Sequence, residues 1–302
     1  MRVGWIGTGR MGYAMAARLA GPGTDLAVWN RTRAKAEPLA ELGAEVVSSI
    51  AELSANEVVF TMVSSSGDLA QVLGELLGGE VAPQVVVDCS TVSPEASAVA
   101  RSACAERGTA FLAAPVSGNA KVVASGGLTL VVSGPRESYE HVAPLLARIG
   151  RSVTYAGEGD VARLVKIAHN LMLGVVTQCM AEITVLAEKG GVPRHAFLDF
   201  LNDSVMGSAF TRYKSPAFVN LDYTPTFTPL LLRKDFDLGL AAARELDVPM
   251  PLAALTAQIV QASVGTGRVD EDFAILLDLQ AAASGVALKP EGVTVDDGLG
   301  HG

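Results

Sequence analysis

The sequence predicts an α/β protein in which a doubly wound sheet is followed by an all-helical C-terminal domain. Short apolar segments of strand length alternate with helical patterns as far as about residue 155. From about Asp160 to Gly190 the spacing is that of one long helix, and no strand pattern follows it. Because 302 residues ordinarily form two domains, we expect domains at residues 1–159 and 160–290, joined through the long helix, and a mobile tail at residues 291–302.

The first predicted strand, Arg2–Ile6, runs directly into Gly7-Thr8-Gly9-Arg10-Met11-Gly12, and helical spacing follows from residue 13. The pattern G-x-G-x-x-G between a strand and a helix is the arrangement that dinucleotide-binding sites require. Gly7 permits the tight turn, Gly9 lets the backbone approach a pyrophosphate, and Gly12 allows close packing of the helix on the strand. The sequence therefore predicts a Rossmann-type domain in which residues 7–12 bind NAD or NADP.

The second predicted strand, Asp25–Trp29, ends in Asn30-Arg31-Thr32. A carboxylate at this point would favour NAD, because it accepts hydrogen bonds from the ribose 2′-OH. Here the neutral Asn30 is followed by Arg31, whose guanidinium can bind a 2′-phosphate through two hydrogen bonds, and Thr32 can donate one more. These three residues predict cofactor binding with a preference for NADP, and NAD stays open. The alternative interpretation is that Arg31 is a solvated charge on a loop.

Further strands are predicted at residues 45–47, 57–63, 85–88, 110–116, 128–132 and 152–155. In a doubly wound sheet, ligands bind at the carboxyl ends of the strands. We therefore expect cofactor contacts from Met62, Val63 and Ser64 at the end of the fourth strand, and from Thr91 after the fifth. The sixth strand ends in Ser117, Gly118 and Asn119, whose hydroxyl, amide and backbone N–H groups predict the position of a substrate carboxylate.

The C-terminal half shows only helical patterns, at residues 160–190, 193–202, 208–213, 234–246, 251–264 and 273–282. Lys166 and Asn170 lie four residues apart in the first of these helices and therefore on one face of it. A lysine in so apolar a helix must reach solvent, a partner or a cleft. Taken alone, Lys166 would be an exposed lysine whose aliphatic stem covers apolar surface. His169 is expected to be a packed or partly exposed histidine rather than a base.

Taken together, these segments resemble the β-hydroxyacid dehydrogenase family, which includes 3-hydroxyisobutyrate dehydrogenase, tartronate semialdehyde reductase and the glyoxylate/succinic semialdehyde reductases. The resemblance covers about residues 1–285 and rests on four motifs that appear in order. After the glycine-rich segment come Asp88-Cys89-Ser90-Thr91 with Ala114-Pro115-Val116-Ser117-Gly118-Asn119, then Lys166-Ile167-Ala168-His169-Asn170, and then Arg233-Lys234-Asp235-Phe236-Asp237-Leu238.

The resemblance implies an NADP-dependent oxidoreductase that transfers a hydride between the cofactor and a small 3-hydroxy acid or semialdehyde. It implies a Rossmann-type domain followed by a 6-phosphogluconate dehydrogenase-like helical domain. Lys166 and Asn170 would be the catalytic residues, and Lys234 would close the site over the cofactor or the substrate carboxylate. The substrate would be bound by Ser117, Gly118, Asn119, Lys166, Asn170 and Lys234.

The chain departs from the family pattern at five positions: Ala113 where Asp is common, Asn119 and His169 where Gly and Asn are usual, and Asp160 and Ala162 in place of two glycines. These differences bear on the choice of substrate more than on the chemistry. Two alternatives stay open. An imine reductase shares the cofactor half but usually has Asp or Tyr at the position of Lys166, and a non-enzymatic NADP-binding protein would have lost this lysine.

Bulk composition argues against several other classes of protein. A net charge of −9 disfavours a nucleic-acid or anionic-membrane surface, and three widely spaced cysteines form neither a disulfide framework nor a zinc pattern. We expect no metal site, no signal peptide and no membrane span, and therefore a cytoplasmic protein. The apolar long helix and the strand-poor second half predict a homodimer or homotetramer.

Overall fold

One nine-stranded sheet forms the core of the N-terminal half, in a computed structural model that describes residues 1–299. Its strands are β1 (Arg2–Ile6), β2 (Asp25–Trp29), β3 (Glu45–Val46), β4 (Val58–Thr61), β5 (Val85–Asp88), β6 (Ala110–Ala113), β7 (Val116–Ser117), β8 (Thr129–Ser133) and β9 (Ser152–Gly157). They lie in the order β3-β2-β1-β4-β5-β6-β8-β7, with β9 paired to β8. Neighbouring strands from β3 to β6 are parallel. Strands β2 and β3 are added on one side of β1, and β4 to β6 are added on its other side. The predicted doubly wound sheet is confirmed.

Helices cover both faces of this sheet, so its central strands are apolar on both sides. The helices are α1 (Arg10–Leu19), α2 (Ser66–Leu77), α3 (Pro94–Glu106), α4 (Ala120–Ala124) and α5 (Arg136–Ile149). Trp5 and Phe60 belong to a buried cluster shared with α1, α4 and α5, whereas Ile6 and Val59 belong to a second cluster shared with α2 and α3. Successive residues of one strand therefore enter opposite cores.

The sixth strand was predicted as a single element at residues 110–116, and this was wrong. The structure has two strands here, β6 and β7, and both pair antiparallel with β8. Pro115 lies between them and has no backbone N–H to donate to a neighbouring strand, although its carbonyl accepts from Val131 at 3.1 Å.

The C-terminal half is helical, as predicted. Its helices are α6 (Val161–Lys189), α7 (Arg194–Asp203), α8 (Ala209–Asn220), α9 (Pro229–Glu245), α10 (Pro251–Gly265) and α11 (Leu276–Ala283). Helix α8 was expected to end at residue 213 but continues through Pro216, because Phe218 and Val219 are fully buried in the helical core. Helix α9 begins five residues before the predicted start of 234, where Thr228 caps it and Pro229 occupies its first turn.

The chain divides into two compact units, Met1–Lys166 and Ile167–Gly302, and the division falls inside α6. The first turn of α6 belongs to the sheet unit because Ala162 is buried in the second cluster of that unit. The domain limits expected from the sequence stay a prediction. In the predicted tail, Glu291 accepts hydrogen bonds from the backbone of Arg194 and His195, which ties the start of this segment to α7. The mobility of the tail stays a prediction, and residues 300–302 lie outside the described residues.

Within residues 1–299, α6 is the one helix whose length and composition would let it cross a membrane. Half of its most apolar window is buried inside the protein. A long core helix passes the same test of length and composition, and α6 contributes Leu171, Met180 and Val185 to the buried core of the helical unit.

Candidate active site

Close backbone contacts set the shape of the glycine-rich loop between β1 and α1. Gly7 has a φ of +96°, and a Cβ on it would lie 2.3 Å from the carbonyl oxygen of Met62. A Cβ on Gly12 would lie 2.0 Å from the carbonyl oxygen of Gly7. The same Gly7 oxygen accepts a hydrogen bond from Nε1 of Trp5 at 2.9 Å. The turn and the packing of α1 therefore both need glycine.

The helix end that this loop presents is suited to an anion. Gly9 is the N-cap of α1, and a Cβ on it would meet no heavy atom within 4 Å. The first turn of α1 carries no acidic residue, so no side-chain carboxylate there offsets the positive end of the helix dipole. Thr8 is 2% exposed, and its Oγ1 has no hydrogen-bond partner among the described residues. An open helix N-terminus beside an unsatisfied buried hydroxyl fits a phosphate-bearing cofactor.

Asn30 holds the glycine-rich loop in place. Its Oδ1 accepts from the backbone N–H of Thr8 at 2.8 Å, and its Nδ2 donates to the carbonyl oxygen of Thr32 at 2.9 Å. Both ends of the side-chain amide are thus used within the protein. Asn30 bears on the cofactor through the loop that it holds.

The side chain of Arg31 is 75% exposed, and its Nη1 lies 3.1 Å from Oδ1 of Asp68 in the first turn of α2. Oδ2 of Asp68 accepts a hydrogen bond from the hydroxyl of Ser65 at 2.7 Å. Thr32, the third residue of the predicted 2′-phosphate motif, is exposed as well. Arg31 is therefore accessible at the end of β2, but its present partner is a carboxylate, and a 2′-phosphate would compete with that partner.

The ends of β4 and β5 bring the other predicted cofactor contacts to the same edge of the sheet as the glycine-rich loop. Met62 donates its backbone N–H to the carbonyl oxygen of Ile6 at 2.9 Å, and Val63 donates its own to Oγ of Ser90 at 2.9 Å. Met62, Val63 and Thr91 are partly exposed, and Ser64 is exposed. This edge offers both apolar and hydroxyl-bearing side chains to a ligand.

Two kinds of chemistry find no support here. Burial, with the nearby Asp88 charge adding to it, raises the pKa of the Cys89 thiol far above its ordinary range, so Cys89 is not a thiolate nucleophile at neutral pH. Across the part of the chain that the structure describes, no group of three or more His, Cys, Asp and Glu side chains could hold a metal ion.

Ser117 is the last residue of β7, and Gly118 and Asn119 link this strand to α4. Gly118 has a φ of +138°, which favours glycine, and Ser117 is partly exposed. Asn119 caps α4, because its Oδ1 accepts from the backbone N–H of Val122 at 3.0 Å. The capping bond uses the acceptor end of the amide, so Nδ2 is the group that Asn119 can turn toward a carboxylate.

Helix α6 carries Lys166 and Asn170 one turn apart. Lys166 is partly exposed, whereas Asn170 is only 4% exposed. Nδ2 of Asn170 donates to Oδ2 of Asp235 at 2.6 Å, and Nδ1 of His169 lies 2.9 Å from Oδ1 of Asn170. Because an amide oxygen can only accept, a hydrogen bond at the last contact requires the proton on Nδ1 of His169. The orientation of the Asn170 amide is thus fixed at both ends.

Asp235 reaches Asn170 because α6 and α9 pack closely within the helical unit. A Cβ on Gly174 would lie 2.4 Å from the ring of Phe236, and a Cβ on Gly239 would lie 2.6 Å from Leu171. Lys234, the neighbour of Asp235 on α9, has a 40% exposed side chain, and its Nζ lies 3.9 Å from Oδ1 of Asp235. The fourth motif thus supplies a carboxylate to Asn170 as well as the predicted lysine.

Three charged residues were given no role from the sequence: Asp68 and Asp235, whose contacts are described above, and Arg163, whose buried guanidinium lies 2.6 Å from Asp88. Asp235 belongs to the fourth motif, and neither Asp68 nor Arg163 was singled out. A second cation one turn before Lys166, in an otherwise apolar segment, was the available signal for Arg163. Asp68 and Asp235 gave no local signal, because their partners lie 37 and 65 residues away.

Two protein-family models match adjacent parts of the chain. The model described as the NAD-binding domain of 6-phosphogluconate dehydrogenase matches residues 2–157. The model described as NAD-binding of NADP-dependent 3-hydroxyisobutyrate dehydrogenase matches residues 157–280. The two models meet shortly before α6, and together they cover residues 2–280.

Individual relatives are similar over almost the whole chain. Glyoxylate/succinic semialdehyde reductase 2 of Arabidopsis thaliana is 30% identical over 93% of this chain and 80% of its own. The crystal structure of a 3-hydroxyisobutyrate dehydrogenase from Salmonella typhimurium is 25% identical, with a TM-score of 0.83 over 92% of this chain and 99% of its own. An imine reductase from Pseudomonas sp. shares the fold less closely, with 18% identity and a TM-score of 0.61 over 92% of this chain and 98% of its own.

Proposed function

Because the chain belongs to the β-hydroxyacid dehydrogenase family, we propose that it transfers a hydride between NADP and a small 3-hydroxy acid or semialdehyde, with Lys166 exchanging the proton at the substrate oxygen. The chain is a nicotinamide-dependent enzyme of the hydroxyacid dehydrogenase type. The observation that carries the assignment of roles is the pair on α6: a partly exposed lysine one turn before an asparagine whose amide is fixed by a buried carboxylate.

The cofactor is assigned to the edge of the sheet where the glycine-rich loop and the ends of β2, β4 and β5 meet. The pyrophosphate would lie at Gly9 and the N-terminus of α1, where Thr8 has an unsatisfied hydroxyl. Further contacts are assigned to Arg10, Met11, Met62, Val63, Ser64, Thr91 and Lys234, and Asn30 would act on the cofactor through the loop that it holds. When bound, the nicotinamide supplies the hydride for reduction and accepts it in oxidation.

NADP is preferred over NAD in this proposal because Arg31 and Thr32 stand at the end of β2, where NAD-specific domains carry a carboxylate. A guanidinium binds a 2′-phosphate through charge-assisted hydrogen bonds that a ribose 2′-OH cannot replace. The description of the second matching family model as NADP-dependent supports this preference.

The chemistry follows from the residue types. In reduction, Lys166 in its ammonium form donates a proton to the carbonyl oxygen as negative charge develops there, and it is left as the neutral amine. In oxidation, the neutral amine accepts the proton of the hydroxyl group. Asn170, held by Asp235, orients the substrate or the lysine, and Ser117, Gly118, Asn119 and Lys234 bind the substrate carboxylate.

The proposed reaction is tested by steady-state rates with NADPH and NADH against glyoxylate, succinic semialdehyde, tartronate semialdehyde and methylmalonate semialdehyde. We expect turnover of at least one of these, and faster turnover with NADPH. A cyclic imine belongs in the same panel. Turnover of the imine without turnover of any aldehyde would replace the proposal with an imine reductase.

The role of Lys166 is tested by Lys166→Met, which removes the charge and keeps the length of the side chain. We expect kcat to fall by roughly 10²- to 10⁴-fold with NADPH affinity nearly unchanged, because general acid catalysis acts in the transition state. The control is Lys189→Met, the same change at the exposed C-terminal end of α6, where Nζ donates to the carbonyl oxygen of Ser284. A folded Lys166→Met enzyme that keeps more than about a tenth of the wild-type kcat would remove Lys166 from the mechanism.

We also propose that the protein is a cytoplasmic homodimer or homotetramer. Large apolar side chains are exposed on the helical unit: Met172 is 68% exposed, Leu186 and Phe200 are 74%, Met206 is 70%, and Val205 is fully exposed. An apolar surface of this kind is more usual at a subunit interface than on a free surface. Light scattering at micromolar concentration tests the assembly, and a monomer would contradict it. Subcellular fractionation tests the location.

A further inference from the structure

Arg163 is a charged residue buried inside the sheet unit, in the first turn of α6. Its side chain is 4% exposed, and an unpaired guanidinium in such a place would cost several kcal/mol. Each of its three nitrogens has a partner: Nε donates to Oγ of Ser97 at 2.6 Å, Nη1 to the carbonyl oxygen of Ser90 at 2.8 Å, and Nη2 to Oδ2 of Asp88 at 2.6 Å. Bonds to a carboxylate, a backbone carbonyl and a hydroxyl fix the guanidinium in every direction of its plane.

Asp88, the last residue of β5, extends this network to the next strand. It is fully buried, and its Oδ1 accepts from Oγ1 of Thr61 at 2.6 Å and from the backbone N–H of Ser90 at 3.2 Å. Thr61 is the last residue of β4 and pairs with Asp88 in the sheet register. One ion pair therefore joins the ends of two adjacent strands to the start of α6.

The network continues into the loops that we assign to the cofactor. Oγ of Ser90 accepts from the backbone N–H of Val63, and Ser90 immediately precedes Thr91. Val63 and Thr91 are both proposed cofactor contacts. Arg163 thus bonds to the same short backbone segment that shapes the cofactor edge of the sheet.

Lys166 follows Arg163 by three residues, which on an α-helix is nearly one turn and about 4.5 Å of rise. We infer that Arg163 is a positioning residue for the reaction. Its bonds to Asp88 and Ser90 fix the position of the first turn of α6 against the ends of β4 and β5. They therefore also fix the position of Lys166 relative to the cofactor loops. All of these residues belong to the one compact unit Met1–Lys166. The inference rests on the proposed role of Lys166.

A merely structural ion pair would stabilise the fold without affecting the alignment of Lys166, and the structure lets the two roles be separated. Ala162 is fully buried, and its backbone N–H donates to Oγ of Ser133 at 3.1 Å. Helix α6 therefore keeps a second attachment to the sheet unit when the guanidinium is removed. Without the Arg163 guanidinium, the first turn of α6 can shift while Ala162 still holds it to the sheet unit.

The experiment uses two replacements of different kind. Arg163→Lys keeps the charge beside Asp88 but replaces the planar guanidinium, whose three nitrogens reach Ser97, Ser90 and Asp88, by a single ammonium nitrogen. The double variant Asp88→Asn with Arg163→Gln removes both charges of the fully buried pair together. Asp160, whose Oδ1 also lies 3.2 Å from Nε of Arg163, keeps Arg101 as a partner in this variant. The control is Arg101→Gln, because Nη2 of Arg101 lies 3.4 Å from Asp160 at the margin of this network and its side chain is 33% exposed.

For Arg163→Lys and the double variant, we expect NADPH affinity near that of the wild type and a loss in kcat on the order of tenfold to a hundredfold, as small misplacements of a reacting group produce. The solvent deuterium isotope effect on kcat should rise, because proton delivery by Lys166 becomes more rate-limiting. Arg101→Gln should match the wild type in both. Wild-type kcat and an unchanged isotope effect in both folded variants would overturn the inference.

A second measurement does not depend on turnover. Hydrogen exchange followed by mass spectrometry should show faster exchange in the peptide that covers residues 160–170 of Arg163→Lys, with the remaining sheet peptides unchanged. Unchanged exchange in that peptide would overturn the inference even for an active enzyme. A wild-type protein that turns over none of the aldehydes would instead overturn the proposed function, and the exchange result would still decide whether Arg163 anchors the helix.

Discussion

Asn170 and Asp235 form a short hydrogen bond between two helices of the helical unit, with Nδ2 of the amide 2.6 Å from Oδ2 of the carboxylate. Both residues are nearly inaccessible, at 4% and 2% exposure. A bond to an ionised acceptor is roughly twice as strong as one between neutral groups. Asp235 therefore fixes which end of the Asn170 amide faces α9, and the other end meets Nδ1 of His169.

Replacing Asp235 by Asn should lower kcat by about fivefold to tenfold, since exchanging a charged acceptor for a neutral one weakens the bond by about 1 kcal/mol. The shape of the side chain is kept, so the melting temperature should change little. The matched control is Asp237→Asn, the same substitution two residues along α9 at an exposed position. Equal kinetic effects at the two positions would show that the bond to Asn170 does not matter for turnover.

Substitutions at two glycines of the loop should separate an effect on folding from an effect on cofactor binding. Gly12→Ala places a Cβ 2.0 Å from the carbonyl oxygen of Gly7, so we expect a poorly folded protein. Gly9→Ala meets no heavy atom within 4 Å and should fold like the wild type, yet lose NADPH affinity because the Cβ stands where the pyrophosphate must approach. Thermal melting and fluorescence titration with NADPH measure the two effects. Unchanged NADPH affinity in Gly9→Ala would place the pyrophosphate elsewhere.

Arg31→Ala should raise the KM for NADPH much more than the KM for NADH. The contacts that a guanidinium makes to a 2′-phosphate should contribute about 1.5–3 kcal/mol, and NADH has no such phosphate. NADH is thus the internal control for any general damage to the loop. An equal loss with both cofactors would show that Arg31 does not contact the phosphate.

Asp68→Asn tests the same proposed 2′-phosphate site by changing the carboxylate partner of Arg31. The carboxylate now lies 3.1 Å from the Arg31 guanidinium and would oppose an incoming phosphate by charge. Removing the charge should therefore lower the KM for NADPH and leave the KM for NADH nearly unchanged. Because the pair is largely exposed, the change should correspond to about 1 kcal/mol or less. A higher KM for NADPH would mean that Asp68 organises Arg31 for the phosphate rather than competing with it.

The parts of the fold that follow from local chemistry were predictable from the sequence. Residues 85–88 form β5 as expected. Helix α1 was expected from residue 13 but begins at Arg10, inside the glycine-rich segment, with Gly9 as its N-cap. The start of α9 was missed because Thr228 and Pro229 lay outside the predicted helix at residues 234–246, although Thr before Pro is a cap followed by a first helical residue. Sequence reasoning favoured the turn-forming property of proline over its preference for the first turn of a helix.

The long-range part of the site could not be predicted in the same way. The bond from Asn170 to Asp235 spans 65 residues and depends on the close packing of α6 on α9 at Gly174 and Gly239. The bond from Arg163 to Asp88 spans 75 residues and depends on how the first turn of α6 meets the sheet. The residue types within each motif point to hydride-transfer chemistry. Which residues of different motifs bond to each other depends on how the core packs.

A buried ion pair in the helical unit joins Lys214 of α8 to Asp272, with side chains 3% and 2% exposed. Nζ of Lys214 bonds to Oδ1 of Asp272 at 2.5 Å and lies 4.2 Å from the centre of the Phe273 ring. Oδ2 of the same carboxylate accepts from Oγ1 of Thr226 at 2.6 Å. Burial opposes ionisation of Asp272, but the Lys214 charge and these hydrogen bonds outweigh it and hold the pKa of this carboxyl below its ordinary value.

Asp272→Asn should lower the free energy of unfolding by about 3–5 kcal/mol at neutral pH, because Lys214 is left buried without its counter-charge. Adding Lys214→Met should restore much of the loss, since an uncharged pair has no desolvation penalty. The control is Glu271→Gln, which breaks a pair with Arg268 whose side chains are 33% and 38% exposed and should cost less than about 1 kcal/mol.

A carboxyl whose pKa is lowered on folding stabilises the fold above its unfolded pKa of about 4, and this contribution is lost as the pH falls through the lower folded value. The stability difference between wild type and Asp272→Asn should therefore shrink in chemical denaturation below about pH 4, and a difference that stays constant on acidification would show that Asp272 is not ionised in the folded protein.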